Sequence, residues 1–180
     1  MQHLMETVKP DRDANNRASY RENWWIFGEP RRELRRALKG LPRFIVTVET
    51  SKHRWFRFLD ASILPDNRLV CIASDDPFVL GVLSSRVHRA WALAVGGKLE
   101  DRPVYSKGMC FDRFPFPNAS PLLREEIATV AEGLDDLRSR VLGQNEDLSM
   151  TGLYNVMQKI LAGVALTDND RTIRQAGCVD

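Results

Sequence analysis

The 180-residue sequence is poor in cysteine and histidine, with three of each, and both are scattered. Cys71, Cys110 and Cys178 form no CxxC pair, and His3, His53 and His88 cluster with neither cysteines nor each other. Zinc signatures and a sequence-evident nucleophilic triad are therefore excluded, and no metal is expected. Cys71 and Cys110 are expected as buried thiols, the common state of free cysteine. Long apolar runs are missing too. The stretch 90–95 is among the longest, far below the roughly 20 residues that cross a bilayer. Residues 1–10 lack the apolar core of a secretory signal. A cytoplasmic protein with no membrane partner is expected.

Glycine-rich phosphate and dinucleotide loops are also lacking. So are the Asn-Pro-Pro-Tyr and Asp-Pro-Pro-Tyr tetrapeptides that grip an extruded base in amino-methyltransferases, and their methyl-donor glycine motif. Val48-Glu49-Thr50-Ser51-Lys52 faintly resembles the acid-and-lysine end of a nuclease site. Such a site needs further carboxylates held beside that lysine. The next one, Asp60, falls on a different expected element. No catalytic residue and no cofactor are assigned to this chain.

What is present is charge, unevenly placed. The net charge is +2, but residues 1–60 carry a balance of +5, residues 61–117 of +1 and residues 118–180 of −4. The front of the chain suits a polyanion. Within residues 31–57 lie Arg31, Arg32, Arg35, Arg36, Lys39, Arg43, Lys52, Arg54 and Arg57, opposed only by Glu33 and Glu49. Arg31/Arg35 and Arg32/Arg36 each share a helix face at spacing i, i+4. Cations so gathered neutralise phosphates and release counterions. On charge alone, an ordinary solvated helix face is the plainer explanation.

Hydropathy patterning predicts an α+β fold: a small mixed β-sheet with packed helices, followed by an α-helical C-terminal segment. Residues 1–20 are polar, without a sustained period, and are expected as a flexible lead-in. Structure is expected to begin near Trp24-Trp25-Ile26-Phe27, turn at Gly28-Glu29-Pro30, and continue as a helix over 31–39 that stops at Gly40. Runs 44–48, 55–59 and 69–73 have strand length and β-branched or aromatic character. One helix is expected over 77–95, capped by Asp75 or Asp76 and stopped by Gly96-Gly97. Residues 98–107 read as an exposed loop or edge strand. The prolines of 111–117 (FDRFPFP) make that stretch an extended connector. A helix over 120–142 carries Leu123, Ile127, Val130, Leu134, Leu137 and Val141 at steps of three and four. This stripe must be covered by the body or a second chain. Helices over 151–161 and 168–175, the last capped by Thr167, complete the chain. The expected domains are 1–20, 21–117 and 118–180. Trp24, Trp25, Trp55, Phe56 and Trp91 are expected in the core rather than as base-stacking platforms.

The loop Lys98-Leu99-Glu100-Asp101-Arg102 alternates charge sign. Lysine and arginine donate to guanine, and glutamate accepts from an exocyclic amino group. Lys98, Glu100 and Arg102 are therefore base-reading candidates, with a solvated polar turn as the plainer alternative.

Seven ordered blocks resemble one family. They are Trp24-Trp25-Ile26-Phe27-Gly28-Glu29-Pro30-Arg31, Gly40-Leu41-Pro42-Arg43-Phe44, Glu49-Thr50-Ser51-Lys52-His53-Arg54, and Val82-Leu83-Ser84-Ser85-Arg86-Val87-His88 with Trp91-Ala92. The stretch 97–105, Cys110-Phe111-Asp112-Arg113-Phe114-Pro115-Phe116-Pro117, and Met150-Thr151-Gly152-Leu153-Tyr154-Asn155 complete the series. Together they resemble the C-terminal part of MmeI-like proteins, single-chain type II restriction–modification enzymes that methylate adenine. The resemblance covers about residue 21 to the end. It implies a target-recognition domain followed by a helical segment, with methyl transfer and cleavage lying upstream. It implies duplex DNA as partner, faced by Ser51-Lys52-His53-Arg54 and by the loop with Glu100 and Arg102; with the basic tract, this makes Arg31, Arg35, Arg43, Lys52, His53 and Arg54 the phosphate-contact candidates. It also implies S-adenosylmethionine for a catalytic domain in the same or a separate chain. Similar proteins continue past the position of Asp180, so a truncated chain is expected. The competing expectations are a protein–protein interaction module pairing through the 120–142 helix, and a folded remnant without tight binding.

Overall fold

The computed structural model describes residues 2–26 and 31–177, which form two compact units, Met1–Lys39 and Gly40–Asp180. The expected turn at Gly28-Glu29-Pro30, with Phe27, lies outside the described residues, as does Cys178.

The first unit is helical. A π-helical turn over Leu4–Val8 leads into α1 (Lys9–Asp13), and α2 (Ala18–Glu22) and α3 (Arg32–Ala37) follow. Residues 2–20, expected as a lead-in without regular structure, are thus mostly helical. No side chain of these helices is buried. Their ties are cationic: the Arg12 and Arg17 guanidinium groups lie 4.7 and 5.5 Å from the Tyr20 ring centroid, and Lys9 pairs with Asp13. Contacts between a cation and a ring leave no apolar period to be read. Trp25, expected in the core, is 53% exposed.

The second unit is built on β1 (Arg43–Val48). It pairs antiparallel with β2 (Arg57–Asp60) on one side and β3 (Leu69–Ile72) on the other. Pairing is antiparallel throughout rather than mixed. The run Phe44-Ile45-Val46-Thr47 is buried at every position, as a central strand covered on both faces requires. Thr47 is a buried hydroxyl and donates to Trp55 O at 2.7 Å.

Asp76 accepts from Phe78 N and opens α4 (Pro77–Ser84). The expected single helix over 77–95 is broken at Ser85, whose ψ of 158° is extended. Its hydroxyl accepts from His88 N and starts α5 (Arg86–Val95). The apolar period runs across the break and hides it, whereas the Ser84-Ser85 pair marks it. Hairpin strands β4 (Gly97–Leu99) and β5 (Arg102–Val104) follow, then a π-helical turn over Lys107–Phe111. Phe114 anchors the proline-rich connector between Phe78 and Val82. Cys110 is fully buried and Cys71 only half-buried.

Helix α6 (Pro121–Gln144) corrects the amphipathic reading. Of the expected stripe only Val141 is buried; Leu123, Val130 and Leu134 are exposed, Val130 at 72%. The buried face is Ala131, Asp135, Arg138 and Val141. The reason is the sheet edge. β2 is an outer strand, and its outward backbone groups need partners. Asp135 accepts from Phe58 N at 3.3 Å, Arg138 donates to Phe56 O at 2.9 Å, and Arg57 donates to Ser139. Burial raises the Asp135 carboxyl above its ordinary range, with nearby Arg57, the Phe58 N–H and Arg138 opposing. Trp55 packs with Val141, Met150 and Leu153, joining α6 to α7 (Met150–Leu161). Thr167 and Asp170 cap each other at the start of α8 (Asp168–Gly177), and Lys159 of α7 pairs with Asp170 at 2.6 Å.

The crossing of α4 over α6 is close at Gly81. A Cβ there would meet the Ile127 side chain at 2.5 Å and its carbonyl at 3.2 Å. Gly81→Val should therefore destabilise by about 1–3 kcal/mol through overpacking. The urea midpoint measures this, and an unchanged midpoint contradicts the crossing. Among the described residues no helix is long and apolar enough to cross a membrane.

Candidate nucleic-acid interface

The segment after β1 and the β4–β5 hairpin are fastened together by backbone. Thr50 bridges to Val104, Ser51 N donates to Pro103 O at 3.3 Å, and Tyr105 N donates to Glu49 O at 2.7 Å. Gly96 permits the fit, since a Cβ there would lie 2.7 Å from Val104 O and 2.5 Å from Ala92 O. The hairpin turns through Glu100-Asp101, with Leu99 opposite Arg102. Glu100 has φ of +59°, a left-handed conformation that costs a non-glycine residue on the order of 1 kcal/mol. Lys98, Glu100 and Arg102 are all exposed, and Glu100 accepts from Arg102 at 2.6 Å. An exposed pair of this kind contributes about 0–1 kcal/mol.

The basic residues separate into different roles. Lys52 is exposed and His53 half-buried, and both reach Asn155 Oδ1 on α7, at 3.0 and 2.9 Å. Arg54, expected at a phosphate, is instead buried. Its guanidinium donates to Val48 O, to Thr47 Oγ1 at 3.1 Å, and to Glu49 O and Pro103 O at 3.3 Å each. It also lies 5.0 Å from the Tyr105 ring centroid. Burial lowers its pKa, opposed by Tyr105 and Cys110. Arg54 thus ties the segment to the hairpin and presents no free donor fork to a phosphate. Arg43 is likewise engaged, paired bidentately with Glu132 and stacked 3.7 Å from the Phe58 centroid. That pairing raises the Arg43 pKa and lowers that of Glu132. Arg31 and Arg35 belong to the first unit, exposed at the start of α3 and on it.

Behind the hairpin lies a buried polar cluster absent from the sequence reading. His88 Nε2 meets Tyr105 Oη at 2.9 Å, and the imidazole and Phe114 rings pack at right angles with centroids 4.4 Å apart. Asn155 and Tyr154 were also missed as site residues. Their block entered the resemblance, but nothing local shows that α7 returns to the Lys52 segment. The faint nuclease pattern is taken apart by the fold. Asp60 sits opposite Arg43 in the strand register, at the far end of β1 from Glu49, about 20 Å away along the strand at 3.3 Å per residue. Among the described residues no three His, Cys, Asp or Glu side chains are grouped to hold a metal.

Residues 2–118 match the family model described as MmeI, target recognition domain. The chain belongs to the MmeI target recognition domain family. The match takes in residues 2–20 and ends just before α6. A relative, DNA methyltransferase A of Bacillus subtilis (strain 168), is 33% identical over 114 residues, covering 62% of this chain and 12% of that protein. A solved structure of the type IIL restriction–modification enzyme MmeI in complex with DNA shares the fold at TM-score 0.65 and 21% identity. It covers 96% of this chain, which spans 22% of that enzyme. The MmeI-like module seen here is thus a small part of the length of either relative.

Proposed function

We propose that this chain binds duplex DNA sequence-specifically and positions an adenine methyltransferase portion, in the same or a separate chain. The observation that carries this reading is the junction just described. It fastens the exposed Lys98, Glu100 and Arg102 hairpin to the segment bearing Lys52 and His53, so cations for phosphates adjoin donors and acceptors for bases. Phosphate contacts position a protein and base contacts specify it, and this arrangement supplies both. Arg31 and Arg35 add phosphate contacts in this reading, while Arg43 and Arg54 are structural. The strained, paired Glu100 fits a reader, because a carboxylate near phosphates is favourable mainly when it accepts from a base amino group.

Catalysis lies outside this module in the same reading, as does S-adenosylmethionine. The turn from β3 into α4, Ala73-Ser74-Asp75-Asp76, carries no glycine to admit a methyl donor, so the residues here do not fit it. Access to chromosomal DNA implies the cytoplasm. A second reading, an interaction module pairing through α6, is favoured only by the exposed Leu122, Leu123, Val130 and Leu134.

Fluorescence anisotropy with labelled duplexes tests the proposal. Affinity should fall steeply with salt, and Lys52→Ala should weaken all sequences alike and reduce the log–log salt slope by about 1. Glu100 and Arg102, grafted into an intact relative, should change one base of the methylated site with about 1–3 kcal/mol of discrimination. A salt-independent affinity points instead to the α6 partner reading. Grafts that leave the methylated sequence untouched remove the hairpin from base reading.

A further inference from the structure

Helix α7 lies beyond residues 2–118, yet its Asn155 is the partner of both Lys52 and His53. Lys52 Nζ can only donate. The Asn155 atom 3.0 Å from it is therefore the amide oxygen, and the amide cannot be turned over. His53 Nε2 lies 2.9 Å from that same oxygen, so Nε2 carries a proton. The residue before Asn155 holds the ring from another side. Tyr154 stacks on His53 with centroids 5.7 Å apart and planes 27° apart. The Tyr154 hydroxyl accepts from Arg138, which also donates to Phe56 O. Helix α7 is itself fixed by buried Leu153 and Val156. Among the described residues the Asn155 amide nitrogen donates to nothing. Asn155 lines an open cleft of about 530 Å3 with Lys52, Gln158, Lys159 and Asn169.

We infer that Asn155 is a positioning residue of the DNA-facing surface: its amide oxygen holds Lys52 and His53 in one pose, so α7 completes a surface that residues 2–118 do not complete alone. The inference rests on the DNA-binding reading for its consequence, but not for its geometry. A charged ammonium on a long stem samples many rotamers, and a fixed acceptor reduces what binding must order.

The test uses the full chain. In the wild type the His53 Nε2–H proton should be resolved by NMR, and in Asn155→Ala it should be lost to fast solvent exchange. Duplex affinity should weaken about three- to tenfold, the range of one lost hydrogen bond. Lys52→Met combined with Asn155→Ala should weaken binding by less than the product of the two, because they act through one contact. If the alanine chain is unstable, Asn155→Asp serves. It keeps the acceptor and should retain the proton, while its charge weakens binding. An Nε2–H proton indifferent to Asn155→Ala, or lost in Asn155→Asp, overturns the proposal. So does an unchanged affinity in a protein whose wild type binds DNA. A wild type that binds no duplex defeats the DNA-binding reading instead, and the His53 proton alone then decides whether Asn155 positions that ring.

Discussion

Arg54→Met is expected to destabilise the protein by about 3 kcal/mol, far more than removal of any exposed cation of the same tract. The arginine is buried without an anionic partner. Its charge is satisfied by three carbonyls and a hydroxyl drawn from two segments. Methionine fills the volume and removes a desolvated charge, but strips Val48 O of its Arg54 donor and takes the second donor from Glu49 O and Pro103 O, which keep Tyr105 N and Ser51 N. A buried acceptor that loses its donor costs about 1–3 kcal/mol, and the weakened contacts at the other two carbonyls add to this without full additivity. Arg54→Lys should rescue little, since one ammonium cannot span the carbonyls a planar fork reaches. The hairpin should also become more open to limited proteolysis, as the side-chain bridge from Arg54 to Pro103 O is lost and only the backbone ties remain. Urea unfolding followed by circular dichroism gives the number. A variant that keeps wild-type stability and loses only DNA affinity would return Arg54 to the role of a surface phosphate ligand.

Acidification supplies the second large effect, through His88. The imidazole is fully buried among Phe56, Tyr105 and Phe114, and among the described residues its Nδ1 has no hydrogen-bond partner. Burial, and secondarily the nearby Arg54 charge, push its pKa down to about 4. Above the unfolded value of about 6.5, neither state takes up the proton and His88 contributes no pH dependence. As pH falls from there towards 4, the unfolded chain binds a proton that the folded chain refuses, so stability drops. Below 4 both states are protonated and the slope vanishes. The full loss is on the order of 3 kcal/mol. Carboxylates held low, such as Asp170 at about 2 and Glu132, titrate mostly below this window. The comparison to make is the stability difference between pH 7.5 and pH 5 in the wild type and in His88→Gln. The wild type should lose more, by about 1–2 kcal/mol over that part of the window. Equal losses would mean that His88 is solvated or already charged in the folded state.

Both effects show where reading a sequence ends. Elements whose cause is local were legible. The run Phe44-Ile45-Val46-Thr47-Val48 is a central strand because β-branched residues in sequence suit a doubly covered sheet. Asp76 and Ser120 cap the helices they precede. Gly96 lets a backbone approach that a side chain would block. The family was legible too, because it rests on ordered blocks that need no coordinates. The hairpin's alternating charges could be singled out for the same reason.

The fate of each charge was not legible. Lys52 and Arg54 are two residues apart in one basic tract, and composition treats them alike. One is exposed; the other is buried beneath carbonyls from β1 and β5. The apolar stripe of α6 was visible, but it does not mark the buried face. The outer edge from Phe56 into β2 leaves a carbonyl and an N–H that Arg138 and Asp135, some eighty positions away, satisfy. Local sequence determines strands, caps and turns, because their energies come from neighbours in the chain. Which polar group is buried, and so which cation is left exposed, is decided only when distant elements leave backbone donors and acceptors that must be paired away from water.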